Sequence, residues 1–318
     1  MRVNKMIAGI LVFVLALSLT ACGSKPAESE AAKEELTVFA AASMTETLTA
    51  AGELYKVENP EITLIFNFDS SGTLKTQIQE GAACDLFISA GQKQMNQLDI
   101  HADPEINTEG LDYVLEGTRI DILENKVTLC VSETSESGVE TFDDLEKSLK
   151  EGKILLAMGN SDVPVGQYTQ KIFAYYGLKE EELADAGVIS YGSNVKEVTT
   201  QVFEGSVDCG VIYCTDAFSA GLTVKDSATA EMCGQVIYPA AVLKTSENQE
   251  LAKVINAFID ELPEYEQKIF VCRYWYFDSI STISVRFGFS ESKVKSMLHR
   301  TRKRLRSKLL EEGVIIEN

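Results

Sequence analysis

The stretch "LTVFAAASMTETLTAAGELYKVENPEITLIFNFDSSGTLKTQIQEG" (36–81) decides the fold. Two short apolar runs, "LTVFAA" (36–41) and "ITLIFNFD" (62–69), each lead into a segment with helical spacing, 43–59 and 71–81. Strands of this length followed at once by amphipathic helices predict α/β architecture with mostly parallel sheets. The alternation continues with "CDLFISA" (84–90) and a helix from Gly91 towards Leu98. "NKVTLCVSE" (125–133), "TFDDLEKSL" (141–149), "KILLAM" (153–158) and "PVGQYTQKIFAYYG" (164–177) repeat it, and "NVKEVTTQVFEG" (194–205) with "CGVIYCTDAF" (209–218) closes it. A last strand, "VIYPAAVL" (236–243), precedes a helix from Glu247 to about Asp260, packed through Leu251, Val254, Ile255 and Phe258. Residues 36–260 therefore have room for two sheets.

Charge divides the 318-residue chain unevenly. Residues 264–318 hold 11 Lys or Arg against 7 Asp or Glu, while the other 263 residues hold 18 against 41. A polyanion is repelled by most of this surface and tolerated only by its last sixth. The N-terminus has Arg2 and Lys5, an apolar run from Met6 to Leu19, and then Leu19-Thr20-Ala21-Cys22. It resembles a bacterial lipoprotein signal, which implies lipidation of Cys22, loss of residues 1–21 and a lipid anchor on the outer side of the cell membrane. Residues 22–35 are small and charged and read as a flexible tether.

Six cysteines besides Cys22 show no CxxC spacing, and there are two histidines, so the pattern predicts no cation site and no cofactor. One disulfide is possible, with no pair favoured. His101 in "LDIHADPE" reads as loop surface and His299 falls in the basic tail, with no nucleophile elbow elsewhere. The expectation is a binding protein and not an enzyme.

The junctions after the first two strands are rich in hydroxyls. "ASMTE" (42–46) reads as a Ser-x-x-Glu capping box at Ser43, and "DSSGT" (69–73) places Ser71 at a second helix start. Taken singly, such residues are helix caps. Two of them at the carboxyl ends of successive strands mark the edge where open α/β sheets bind ligands. Helix N-termini there offer unpaired N–H groups to an anion, and the first helical turns hold no Lys or Arg until Lys75. Such a site suits a small, already ionised oxyanion.

The motifs "LTVFAAASMTETL", "SSGTLKTQIQEGAACDLFISA", "NSDVPVGQYTQKIF" and "GVIYCTDA" resemble the periplasmic molybdate-binding proteins of ABC importers over residues 34–260. The resemblance implies a two-lobed periplasmic binding protein fold of type II. It places lobe 1 at about 36–120 and 220–260 and lobe 2 at about 121–219. It also implies a monomer that takes molybdate or tungstate and hands it to an importer permease. The ligand set it implies is Ser43, Ser71, the backbone amides of Val165 and Val195, and the hydroxyl of Tyr213. Asp69 departs from the family pattern, which has a small neutral residue there. A carboxylate repels a dianion, so Asp69 is expected to face away.

From residue 257 the design changes. "SISTISVRFG" (279–288) reads as a short helix ended by Gly288, and Ser290 caps a long basic helix with Glu291 in its first turn. Ile280, Ile283, Phe287, Val294, Met297, Leu298 and Leu305 are the candidate core, with "YEQKIFVCRYW" (265–275) as a preceding helix. Helix, Gly-containing turn and helix form the helix-turn-helix pattern. Residues 286–308 hold nine basic side chains against one acidic.

Residues 257–311 resemble region 4 of bacterial sigma factors, which implies a small all-α DNA-binding domain at 261–318. By that likeness Ser292, Lys293, Lys295 and Ser296 approach base edges, and Arg300, Arg302 and Lys303 approach phosphates. Nothing in 1–256 resembles the sigma regions that grip polymerase and melt DNA. The stretch "FIDELPEYEQKIF" (258–270) resembles both parents. The sequence thus reads as an exported oxyanion receptor carrying a stranded DNA-binding tail. The rival reading is a transcription regulator with an oxyanion-sensing domain.

Overall fold

A computed structural model describes residues 34–58, 60, 62–250, 252–253 and 280–311. The signal segment with Cys22, tether residues 23–33, the helix expected beyond Lys253, the segment 265–275 and Cys272 lie outside the described residues, while Glu34 and Glu35, read as the end of the tether, open the first strand.

Two five-stranded sheets form the body. The first runs β2 (Ile62–Asp69), β1 (Glu34–Ala41), β3 (Leu86–Ile88), β10 (Val236–Val242), β4 (Ile120–Asn125). The second runs β7 (Ile189–Gly192), β6 (Leu156–Gly159), β8 (Cys209–Tyr213), β5 (Val127–Val131), β9 (Thr223–Ser227). The chain crosses between sheets at Lys126 and again between Ser227 and Val236, where the sequence reading set the lobe boundaries at about 121 and 220.

The expectation of mostly parallel sheets needs correcting. β1 pairs in parallel with β2 and β3, and β6 with β7 and β8, but β10 and β5 are antiparallel to both their neighbours. The parallel strands are joined by crossover helices within one lobe. β5 and β10 arrive from the other lobe with no such helix to reverse the chain. Each sheet is therefore mixed.

Helices α1 (Thr45–Glu58), α2 (Ser71–Gln79) and α3 (Gln92–Leu98) belong to the first lobe. α4 (Phe142–Lys150), α5 (Pro164–Tyr175), α6 (Glu180–Asp185), α7 (Val195–Phe203) and α8 (Cys214–Ser219) belong to the second, and α9 (Ala230–Cys233) lies on the return path. Period-two alternation explains the layers. Val38 and Ala40 of β1 join the main core, while Phe39 between them packs with Leu74, Ile78, Phe87, Met95 and Leu98 on the opposite face. α4 shows why a polar segment still becomes a packed helix. Thr141 and Asp144 close a capping box at its start, and Phe142, Leu145 and Leu149 are buried on one stripe.

The two described helices of the tail are α10 (Ile280–Phe287) and α11 (Glu291–Glu311). Gly288 takes φ +66 between them, the left-handed conformation that only glycine adopts at little cost. Ser290 Oγ accepts the N–H of Lys293 at 3.2 Å, the cap expected from the sequence. Ile283, Val294, Met297 and Leu298 form a small buried cluster with Ile280 and Phe289 against it.

Candidate functional site

The carboxyl ends of the parallel strands converge on one small cavity. β1 ends at Ala41, and a single 3-10 turn, Ala42–Met44, carries Ser43 to its wall. β2 leads through Ser70 to Ser71 at the first position of α2, and β3 leads to Ala90. From the other lobe come Val163, Pro164 and Val165 after β6, Val195 after β7 and Tyr213 ending β8. All five residues expected from the sequence line this one space. It is on the scale of a single water-sized sphere. A tetrahedral oxyanion is larger, so its entry requires the lobes to part.

Each residue is held by local structure. Pro164 at the first position of α5 has no N–H to lose, and Val163 before it gives no side-chain cap, so the first-turn amides, Val165 among them, have no partner inside the helix. Val195 is the first residue of α7, and Asn194 caps the amide of Glu197 further in. Ser71 is fully buried and its Oγ accepts the N–H of Ala90 at 2.9 Å, which leaves the serine hydrogen to donate. Ser43 is 5% exposed, with its Oγ 3.0 Å from Tyr238 OH. Tyr213 is buried, and burial, with Tyr238 next, holds its phenol well above the usual 10. It is a neutral hydroxyl donor at any physiological pH.

Two local readings change. Ser43 forms no capping box: it lies inside the 3-10 turn, its hydroxyl meets Tyr238, and Glu46 pairs with Lys196 instead. The cap of α2 is Ser70, whose Oγ accepts the N–H of Thr73 at 3.1 Å, one residue before the serine singled out. Capping at Ser70 leaves Ser71 free to face the cavity. Asp69 is not among the lining residues, and its Oδ1 accepts the N–H of Ser70 at 2.6 Å. No charged side chain lines the cavity. An anion there meets only hydroxyls and amides.

Sequence reasoning missed the groups that join the lobes. Tyr213 OH donates to the carbonyl of Ala90 at 3.2 Å. Lys196, next to Val195, reaches Glu46 in the first lobe at 2.7 Å and Asp216 in its own at 3.1 Å. Burial alone lowers the Lys196 ammonium, but Asp216 and Glu46 overcome it and the net direction is up. Gly72 of α2 approaches the second lobe so closely that a Cβ there runs into the carbonyl oxygen of Asp162. Tyr238 carried one legible signal, the Pro239 that follows it in a strand. Proline inside a strand marks a bulge, and the register of β10 on β4 does shift between them.

Two wider clefts flank the cavity. One of about 370 Å³ is lined by Glu46, Lys196 and Asp216, and one of about 450 Å³ by Lys93, Tyr168 and Lys171, with none of the five residues in either. No cluster of metal-ligating side chains occurs among the described residues, whose five cysteines are all free thiols. His101 is exposed, as expected. In the tail, Ser292, Lys293, Lys295, Ser296, Arg300 and Lys303 are all exposed on α11. Arg302 belongs to the same helix, its side chain outside the described set. Lys293 Nζ lies over the Phe289 ring at 3.7 Å, and Lys295 pairs with Glu291 at 3.7 Å.

Comparison with known proteins follows these lines. Residues 36–269 match the model of the bacterial extracellular solute-binding proteins, and residues 253–305 match sigma-70, region 4. The two matches overlap over 253–269, which takes in most of the stretch 258–270 that resembles both parents. A Bacillus subtilis (strain 168) lipoprotein assigned as an ABC transporter substrate-binding protein, YvgL, is 30% identical over 80% of this chain and 90% of its own length. The molybdate-binding protein ModA of Haemophilus influenzae is 30% identical over 70% of this chain and 83% of the relative. Among solved structures, the substrate-binding domain of a protein assigned as a molybdenum ABC transporter of Clostridium difficile is 32% identical. Its TM-score is 0.51, over 74% of this chain and 95% of that one. The chain belongs to the bacterial extracellular solute-binding protein family, with a segment like sigma-70 region 4 joined to its C-terminal end.

Proposed function

We propose that this protein binds molybdate or tungstate outside the cytoplasmic membrane and presents it to the permease of an ABC importer. The observation that carries the reading is the cavity at Ser43, Ser71, Val165, Val195 and Tyr213. It gathers donors from both lobes and no charged side chain. Fixed hydroxyl and amide dipoles compensate a fully ionised tetrahedral oxyanion without a counter-cation. Relatives that bind molybdate support the choice of anion. Calorimetry of the mature chain with molybdate, tungstate, sulfate and phosphate tests it. Sub-micromolar binding of the first two is expected, and no heat with either would reject the assignment.

The N-terminal sequence adds lipidation at Cys22, which holds the receptor on the outer face of the membrane. A fatty-acid analogue is expected to label the wild type and not Cys22→Ala; equal labelling of both would remove the anchor.

The match of 253–305 to sigma-70 region 4 and the exposed basic side chains of α11 favour a second reading, a DNA-binding regulator. The export signal and the acidic remainder of the chain weigh against it. A C-terminal tag found outside the cytoplasm supports the receptor; a tag on the nucleoid supports the regulator.

A further inference from the structure

The cavity has no charged side chain, yet it sits in a chain whose first 263 residues carry 18 Lys or Arg against 41 Asp or Glu. The field of hydroxyl and amide dipoles fades faster with distance than that of charges, which reaches over a Debye length, about 8 Å at physiological salt. A dianion therefore meets repulsion before it meets the site. The margins between the lobes differ in what they offer it. In the cleft of about 370 Å³, Lys196 already pairs with Glu46 and Asp216, two carboxylates to one ammonium. At the Gly72 contact the facing residue is Asp162, itself exposed. The cleft of about 450 Å³ is different. Lys93 of the first lobe and Lys171 of the second line it, and no Asp or Glu does. Neither lysine makes an ion pair among the described residues. Glu180 and Glu124 each accept from a glutamine of this cleft, from Gln170 at 2.8 Å and from Gln235 at 3.3 Å.

We propose that Lys93 and Lys171 form a capture site for small dianions, at the mouth through which the ligand reaches the cavity. The proposal rests on the oxyanion reading above. Both lysines stand behind the pair that ties the lobes together. Ala90, whose carbonyl accepts from Tyr213 OH at 3.2 Å, precedes Lys93 by three residues. Tyr168 stands edge-on to Tyr213, with centroids 6.4 Å apart, and Lys171 Nζ lies 5.1 Å from the centroid of that Tyr168 ring. A cation over an aromatic face is held there by the ring quadrupole, which places Lys171 one ring behind the cavity wall. Between cleft and cavity the lobes meet at Gly91, which lines the first, and Pro164, which lines the second. A Cβ on Gly91 would come within 3.2 Å of the proline ring. Parting of the lobes separates both pairs and joins the two spaces. An anion drawn between the two ammonium groups then has one layer of side chains to pass. Both lysines are exposed, so they hold an anion weakly and act on the rate of encounter. Capture is unselective, and the fixed donors of the cavity make the choice.

The test is stopped-flow kinetics of molybdate binding to the mature chain at low and high ionic strength, with Kd from calorimetry. The double variant Lys93→Gln, Lys171→Gln is expected to associate about three- to tenfold more slowly at low salt. The gap should close as salt rises and the screening length falls to about 3 Å. Dissociation stays at the wild-type rate, so Kd weakens by the factor lost in association. Lys93→Arg with Lys171→Arg keeps the charge and the wild-type association rate. Lys56→Gln with Lys153→Gln makes the same change in net charge at exposed positions outside both clefts, and is expected to associate as the wild type does. Equal slowing in that control pair would reduce the effect to net charge and overturn the proposal. Unchanged association in the Gln pair, faster dissociation alone, or slow association in the Arg pair would overturn it too, while the oxyanion reading stands. A wild type that binds no molybdate overturns both.

Discussion

Tyr213 OH, at the end of β8, donates to the carbonyl oxygen of Ala90, just past β3, at 3.2 Å. The bond ties one lobe to the other at the cavity wall. A ligand oxygen that replaces Ala90 as acceptor inherits a neutral, buried donor. Tyr213→Phe removes both the tie and the donor, and is expected to weaken molybdate binding by about 10- to 100-fold. Calorimetry that shows unchanged affinity would remove Tyr213 from the site.

Ser71 should respond similarly for a different reason. Its Oγ takes the N–H of Ala90 at 2.9 Å and keeps one hydrogen for the ligand. Ser71→Ala loses a hydrogen bond to a charged group, roughly 1.5–3 kcal/mol or about 10- to 150-fold. It also leaves the Ala90 amide unpaired, so a modest fall in melting temperature should accompany the weaker binding.

Gly72 tests the closed arrangement. Alanine is the better helix former by about 1 kcal/mol, so Gly72→Ala should not destabilise the ligand-free protein. In the closed form its Cβ meets the Asp162 carbonyl, backbone that cannot swing aside. Overpacking of this kind costs about 1–3 kcal/mol. The expected outcome is unchanged melting without ligand and about 5- to 150-fold weaker binding. Equal affinity in the two proteins would show that the lobes need not approach this closely.

Asp216 gives a pH dependence with a definite sign. It is buried, and burial lifts its carboxyl to about 6, with Lys196 pulling the other way. An unfolded aspartate titrates near 3.9. The folded value is the higher, so the group favours folding fully below about pH 4, and that contribution is lost as pH rises through 6. Relative to Asp216→Asn, the wild type should lose on the order of 3 kcal/mol between pH 4 and pH 7.5. Denaturant unfolding at those two values measures it, and a constant difference would refute the cost of burying this charge.

The basic tail should bind duplex DNA weakly as a fragment of residues 262–318, near 10⁻⁴ to 10⁻⁶ M at physiological salt, a range typical of non-specific binding, roughly. In the full chain the acidic remainder repels the same phosphates, so affinity should be lower, most clearly at low ionic strength. Titration of labelled DNA at two salt concentrations decides it; a tighter full-length complex would contradict the electrostatic account.

Much of this was legible because it is local. Strand and helix runs from 36 to 218 follow hydrophobic period and length, and Gly288 and Ser290 mark the tail's turn by backbone chemistry alone. Hydroxyl-rich junctions at strand ends pointed to Ser43 and Ser71, while Val165, Val195 and Tyr213 could be named only through motifs shared with the molybdate-binding proteins. The rest depends on pairing across long sequence distances. Ser43 and Tyr238 meet across 195 positions, and Lys196 and Glu46 across 150. Nothing near any of them announces the partner. The choice between Ser70 and Ser71 as cap turned on one residue of register, which composition cannot decide. Antiparallel β5 and β10 escaped because a strand's direction belongs to its connection and not to its own residues.

That β10 lies between β3 and β4 has a consequence for how the molecule is assembled in time. A chain made from its N-terminus presents β1 to β4 early, but β3 and β4 share no edge and stay apart until Val236–Val242 has been synthesised. More than a hundred residues of the second lobe come first. The sheet of the first lobe therefore cannot be completed before that strand has been made. The strand order that joins the lobes thus makes completion of the first depend on synthesis of the second.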